Sequence, residues 1–77
     1  MQLTMHTRDG LYRSVFRFPD GGEVMPAGGE YPTLEIALSH SVFLQRQANI
    51  EQGWQVEVFI YHMGEIVEWL PAPSSLN

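Results

Sequence analysis

Three histidines, His6, His40 and His62, are the only imidazoles in this chain, and there is no cysteine. A metal centre needs at least about three converging nitrogen, sulfur or oxygen ligands. The histidines lie in separate stretches without HxH or HExxH spacing, so no metal ligand is expected among them. His62 falls in a turn and is expected at the surface. His40 is in a helical stretch, where an interface histidine can change charge near neutral pH. Ser39-His40-Ser41 places hydroxyls next to an imidazole, the components of a nucleophile and its base. Neighbouring helical residues diverge by about 100° and do not face each other. No carboxylate is spaced to orient His40, so no catalytic role is expected there. Glu57, Glu65 and Glu68 could supply paired carboxylates for acid–base work. Strand alternation separates Glu68 from the other two, and solvated strand charge that discourages edge pairing accounts for all three. The pairs Gly21-Gly22 and Gly28-Gly29 match no phosphate-loop spacing and read as turns. No catalytic, cofactor-binding or metal residue is therefore expected.

The aromatic residues are the more informative set. Trp54, Phe59, Tyr61 and Trp69 crowd the C-terminal third, with Phe43 ahead of them. A core would use them all, whereas exposed aromatics rimmed by acids mark protein interfaces. The candidate partner-binding residues are Phe43, Glu57, Phe59, Tyr61, Glu65 and Trp69.

The elements that must position them follow from periodicity. Thr33 to Gln52 is a helix. Thr33 can accept an orphan amide, Glu35 suits the positive end of the dipole, and Gly53 can close the helix in the left-handed region. Leu34, Ala37, Leu38, Ser41, Leu44 and Ala48 form one apolar face. Ile36, His40, Phe43 and Ile50 make a second stripe, which a surface helix does not need. Before the helix, Leu3–Thr7 reads as a short strand turned by Arg8-Asp9-Gly10. Leu11–Phe18 reads as a strand with Tyr12, Ser14, Phe16 and Phe18 toward the core and Arg13, Val15 and Arg17 outward. Pro19-Asp20-Gly21-Gly22 is a turn, Glu23–Met25 a short strand, and Pro26–Pro32 a loop from which Tyr31 can staple the helix start. After the helix, Trp54–Tyr61 and Glu65–Leu70 form a hairpin around His62-Met63-Gly64. With a three-residue loop Ile60 faces Ile66, Val58 faces Glu68, Phe59 meets Val67 and Tyr61 meets Glu65; a two-residue loop slips every pair by one. The order β-β-(β)-α-β-β predicts an α+β, two-layer domain: an antiparallel β-sheet of four to five strands with one helix packed on one face. The domain is expected over 1–70, with 71–77 a disordered tail.

At 77 residues the chain suits one small domain, for which oligomerisation is a common source of added stability, and a homodimer is expected. Nine acidic residues oppose four arginines, for a net charge of −5. That balance argues against direct nucleic acid binding, which favours basic patches. No apolar run approaches the roughly 18 residues of a membrane span, and no signal-peptide core is present, so a cytoplasmic protein without membrane attachment is expected.

The strings RFPDGGE, EYPT, GWQVEVF and GEIVEW resemble small uncharacterised β-β-α-β-β domains of bacteria and phages, over roughly residues 11–70. In size, acidity and layout the chain is also similar to some phage anti-CRISPR proteins and to small α+β antitoxin domains, although the antitoxins' DNA-binding appendage is missing. No activity attaches to the first resemblance and no functional residue is carried over from it. The aromatic hairpin and the second helix stripe lead to the expectation of a non-enzymatic protein-binding module, in a phage or mobile-element setting an inhibitor of a host protein complex. The other expectation is a small-ligand or enzymatic domain with a pocket near the helix and the C-terminal hairpin, drawing on His40 or Glu57. No cofactor is implied.

Overall fold

The computed structural model describes residues 10–26 and 28–73. The expected strand Leu3–Thr7 and the last residues of the expected tail lie outside them. The elements are β1 (Tyr12–Arg17), β2 (Glu23–Val24), β3 (Glu30–Tyr31), α1 (Leu34–Gln47), a π-helical turn (Ala48–Gln52), β4 (Glu57–His62) and β5 (Glu65–Leu70). The strands form one antiparallel sheet in the order β2-β1-β4-β5, with β3 also on β1. The helix packs on one face, so the two-layer α+β expectation holds.

β1 is central because its alternation serves both layers. Ser14 and Phe16 are buried toward the helix while Arg13 is exposed. β4 pairs with it along its whole length, Tyr12 opposite His62 through Arg17 opposite Glu57. Val56, Val58 and Ile60 join Phe16, Tyr31 and Ala37 in the core, against Tyr12, Phe18, Leu34, Leu38, Leu44 and Leu70. The strand expected from Trp54 starts instead at Glu57; Trp54 turns edge-on to Phe18, with ring centroids 5.2 Å apart.

The expected Pro26–Pro32 loop contains a strand. Glu30 and Tyr31 pair with Arg13 and Tyr12, and the Gly29 carbonyl accepts from Ser14 N at 2.9 Å. Glycine at 29 suits the tight turn that delivers β3, because a Cβ there would stand 2.9 Å from the Pro26 carbonyl oxygen. Tyr31 is buried under the helix and tilts against the His40 ring, centroids 5.1 Å apart.

The helix begins as its sequence implies, with Thr33 Oγ1 accepting from Ile36 N at 3.2 Å. It ends differently. The last turn widens to π geometry before Gly53 at φ 72°, and Asn49 Nδ2 fixes the exit by donating to the Trp54 carbonyl at 3.1 Å. The face against the sheet runs along Ala37, Ser41 and Gln45. Ala37 and Ser41 are small enough for close approach, and Ser41 Oγ shares a 2.6 Å hydrogen bond with Ser14 Oγ. Gln45 Nε2 donates to the carbonyls of Val56 at 2.8 Å and Pro71 at 3.0 Å. The amide thus ties the helix to the start of β4 and the exit of β5. Among the described residues no buried side-chain nitrogen or oxygen lacks a partner.

Of the two hairpin registers left open, the structure takes the two-residue turn and adds a bulge that neither contained. The turn is two residues, Met63 (φ 54°) and Gly64 (φ 83°), with His62 opposite Glu65. Positive φ at both positions matches the right-handed twist of the strands. A bulge follows, so that Tyr61 pairs with Ile66 but Ile60 with Glu68. Val67 is left as the extra residue. Phe59 therefore meets Trp69, not Val67, and Val58 meets Leu70, not Glu68.

Candidate functional site: the open face of the sheet

Strand alternation decides which side chains share the face away from the helix. β1 contributes Arg13, Val15 and Arg17; β4 contributes Glu57, Phe59 and Tyr61; β5 contributes Ile66 and Trp69. Val15, Phe59 and Trp69 form one cross-strand row, and Arg13, Tyr61 and Ile66 another. Trp69 and Ile66 are 52% and 51% exposed. Among the described residues the helix lies on the opposite side and no element covers this one.

Both arginines on the face have a carboxylate partner. Arg17 reaches Glu23 Oε2 from Nη2 at 2.9 Å and from Nε at 3.0 Å. Its guanidinium carbon lies 4.5 Å from the Phe59 ring centroid, within cation–π range. Arg13 Nε lies 3.2 Å from Glu30 Oε2. Two of the four arginines thus sit on the face with a carboxylate each, and Glu57, opposite Arg17, adds a third carboxylate there.

A groove of ≈ 690 Å³ runs along β1 on this side. Arg13 and Val15 line its floor, Tyr61 one wall, and Val24 and Met25 the other, with Met63 at the end beside the turn. Met25 and Met63 project at its lips, both at least half exposed. A shallower cavity of ≈ 380 Å³ lies between Phe18, Gln55, Glu57 and Ala72. His40 borders neither.

The structure brings Glu57, Phe59, Tyr61 and Trp69 together on the open face. It does not bring Glu65 or Phe43 to them. Glu65 pairs with His62 and belongs to the helix-side row. Phe43 projects from the outer side of α1 at 59% exposure, with Ile36 and Ile50 also exposed there. The sequence reading missed Val15, Ile66, Met25 and Met63 as parts of the face. Alternation already placed Val15 outward, but only the hairpin register aligns Ile66 with Tyr61. His62 is not the free turn residue expected; its ring stacks on Tyr12 at 4.0 Å and 7°. Among the described residues no group of three histidine, cysteine or acidic side chains could hold a metal ion. No helix among them is long and apolar enough to cross a membrane.

Comparison with known proteins returns no match: no family model, no curated sequence and no solved structure is significantly similar to this chain. The functional reading therefore rests on the face itself.

Proposed function

We propose that this chain is a non-enzymatic protein-binding module that docks another protein, a second copy of itself included, on the open face of its sheet. The observation that carries this reading is the aromatic row of half-buried Phe59 and exposed Trp69, beside half-buried Tyr61 and exposed Ile66, on a face that no element among the described residues covers. Aromatic residues are enriched at the centres of protein interfaces, and truncating them there costs the most affinity. Flexible methionines at the lips of the groove suit a contact surface that must adjust to its partner. The net charge of −5 fits partners with basic surfaces, such as a host complex that handles nucleic acid, whose groove an acidic module would obstruct. The test is affinity capture from host cells, with the partner identified and its binding measured with purified proteins. Trp69→Ala should abolish capture while Phe43→Ala leaves it unchanged. The reverse pattern would move the docking site to the helix.

The groove supports a second reading, an apolar small-molecule site, since its volume lies in the range of ligand pockets. A thermal-shift screen of small apolar ligands tests it. At about 100 times its Kd a true ligand adds roughly 2.7 kcal/mol of stability, and Val15→Glu should remove that gain.

A further inference from the structure

We infer that Met25 and Met63 form a paired oxidation site, at which conversion of both thioethers to sulfoxides turns the lips of the groove along β1 from apolar to polar. The inference rests on the groove as an apolar-ligand site and adds a means of closing it. Of the four methionines in the chain, these two are among the described residues, and both line the groove. They stand on opposite sides of β1. Met25 follows β2, and Met63 sits in the turn between β4 and β5. Met63 is 67% exposed and Met25 50%, so an oxidant dissolved in water reaches both. Neither belongs to the core cluster, so a change in its polarity does not reach the packing of helix on sheet. The chain has no cysteine, and no thiol competes for the oxidant.

The oxidant is a peroxide. A sulfur lone pair attacks one peroxide oxygen, an S–O bond forms and the O–O bond breaks. The new sulfur-bound hydroxyl gives its proton to the departing hydroxide, which leaves as water. Sulfur loses two electrons and the peroxide gains them. The product is a polar, chiral side chain in place of a flexible apolar one. Leu11, Val15 and Val24 supply apolar lining between the two methionines, while Arg13 and Glu23 line the groove already ion-paired with Glu30 and Arg17. An apolar ligand pressed against the lips offers a sulfoxide oxygen no donor, and a polar group buried without a partner opposes binding. The change is reversible. Thiol-dependent sulfoxide reductases, one for each epimer, return the thioether; two thiols supply the electrons and protons, become a disulfide, and the oxygen leaves as water. The groove thus takes its ligand in a reducing environment and releases it under peroxide.

The probe is anilinonaphthalene sulfonate, a dye whose fluorescence rises in an apolar site. It is titrated onto the full chain before and after hydrogen peroxide, with peptide mapping by mass spectrometry to locate the oxidation and circular dichroism to follow the fold. The untreated protein should bind the dye and a folded Val15→Glu variant should not, which places the dye over the floor of the groove. Peroxide should oxidise Met25 and Met63 about as fast as methionine in a short unstructured peptide. Dye affinity should fall by about tenfold or more with the circular dichroism unchanged, and reductases for both epimers should restore it. The Met25→Leu/Met63→Leu variant keeps Met1 and Met5; compared with itself, it should bind the dye equally before and after peroxide. Dye affinity that survives oxidation of both residues would overturn the inference while the groove remained a ligand site. So would a loss that persists in the double variant, a loss that comes with unfolding, or a loss that the reductases do not reverse. An untreated protein that binds no dye, or binds it equally well in the Val15→Glu variant, would remove the ligand site and the inference together.

Discussion

Gln45 shows how much one side chain holds in this small domain. Its amide nitrogen serves carbonyls just before β4 and just beyond β5, so its loss leaves one buried and one part-buried acceptor without this donor. Each such group costs about 1–3 kcal/mol. Gln45→Ala should lower the unfolding free energy by roughly 2–4 kcal/mol in urea denaturation. Gln45→Leu should recover little, because a hydrocarbon fills the volume but donates nothing. Ser14 and Ser41 behave differently, as the two partners of one buried hydrogen bond. Replacing one strands the other, while replacing both removes the demand. The double alanine variant should therefore be less destabilised than the sum of the singles by about 1 kcal/mol, measured as a double-mutant cycle. Neither pairing could be read from the chain. Ser41 was placed on the inward face by its spacing from Ala37, and Ser14 by alternation with Phe16. That they touch depends on how closely the helix lies on the sheet. Gln45 stands on an apolar stripe, and its purpose appears only when two distant carbonyls arrive beside it.

Among the elements, the helix was the most legible, since Thr33, Glu35 and Gly53 mark its ends by chemistry local to the helix. β3 was invisible, because a two-residue strand exists only through its partner. The C-terminal hairpin was legible as a hairpin and illegible in register. A single bulge at Val67 moves Trp69 beside Phe59, and no local preference announces it. The turn carries one mismatch with its own geometry: Met63 occupies a left-handed position, φ 54°, that costs a non-glycine residue roughly 1–2 kcal/mol and that asparagine tolerates better. Met63→Asn should raise stability by about 0.5–1 kcal/mol and, because Met63 borders the groove, weaken association through the face. A thermal melt and a sedimentation run on the same variant check the two halves. At Gly29 the argument runs the other way. A methyl group would meet the Pro26 carbonyl, so Gly29→Ala should destabilise by about 1–3 kcal/mol by pushing β3 off β1.

For the molecule as a whole, the fold class followed from the order of elements, while the candidate site followed only in part. Aromatic content pointed to the C-terminal hairpin, and Phe59, Tyr61 and Trp69 do share one face of the sheet. Phe43 stands apart from them because the outer side of the helix faces away from the open face, and Glu65 because the two-residue turn sets it opposite His62 in the helix-side row. The central place of β1 has a further consequence, for how the chain folds. β1 comes early in the sequence, but its long partner β4 comes after the helix, and Tyr12 must find His62. Pairings between distant segments slow folding, because the loop between them must close before any contact rewards it. Without β4 the sheet has no centre, so a chain cut short before Glu57 should keep no part of it, and the sheet should assemble as a single cooperative event once the last hairpin is available.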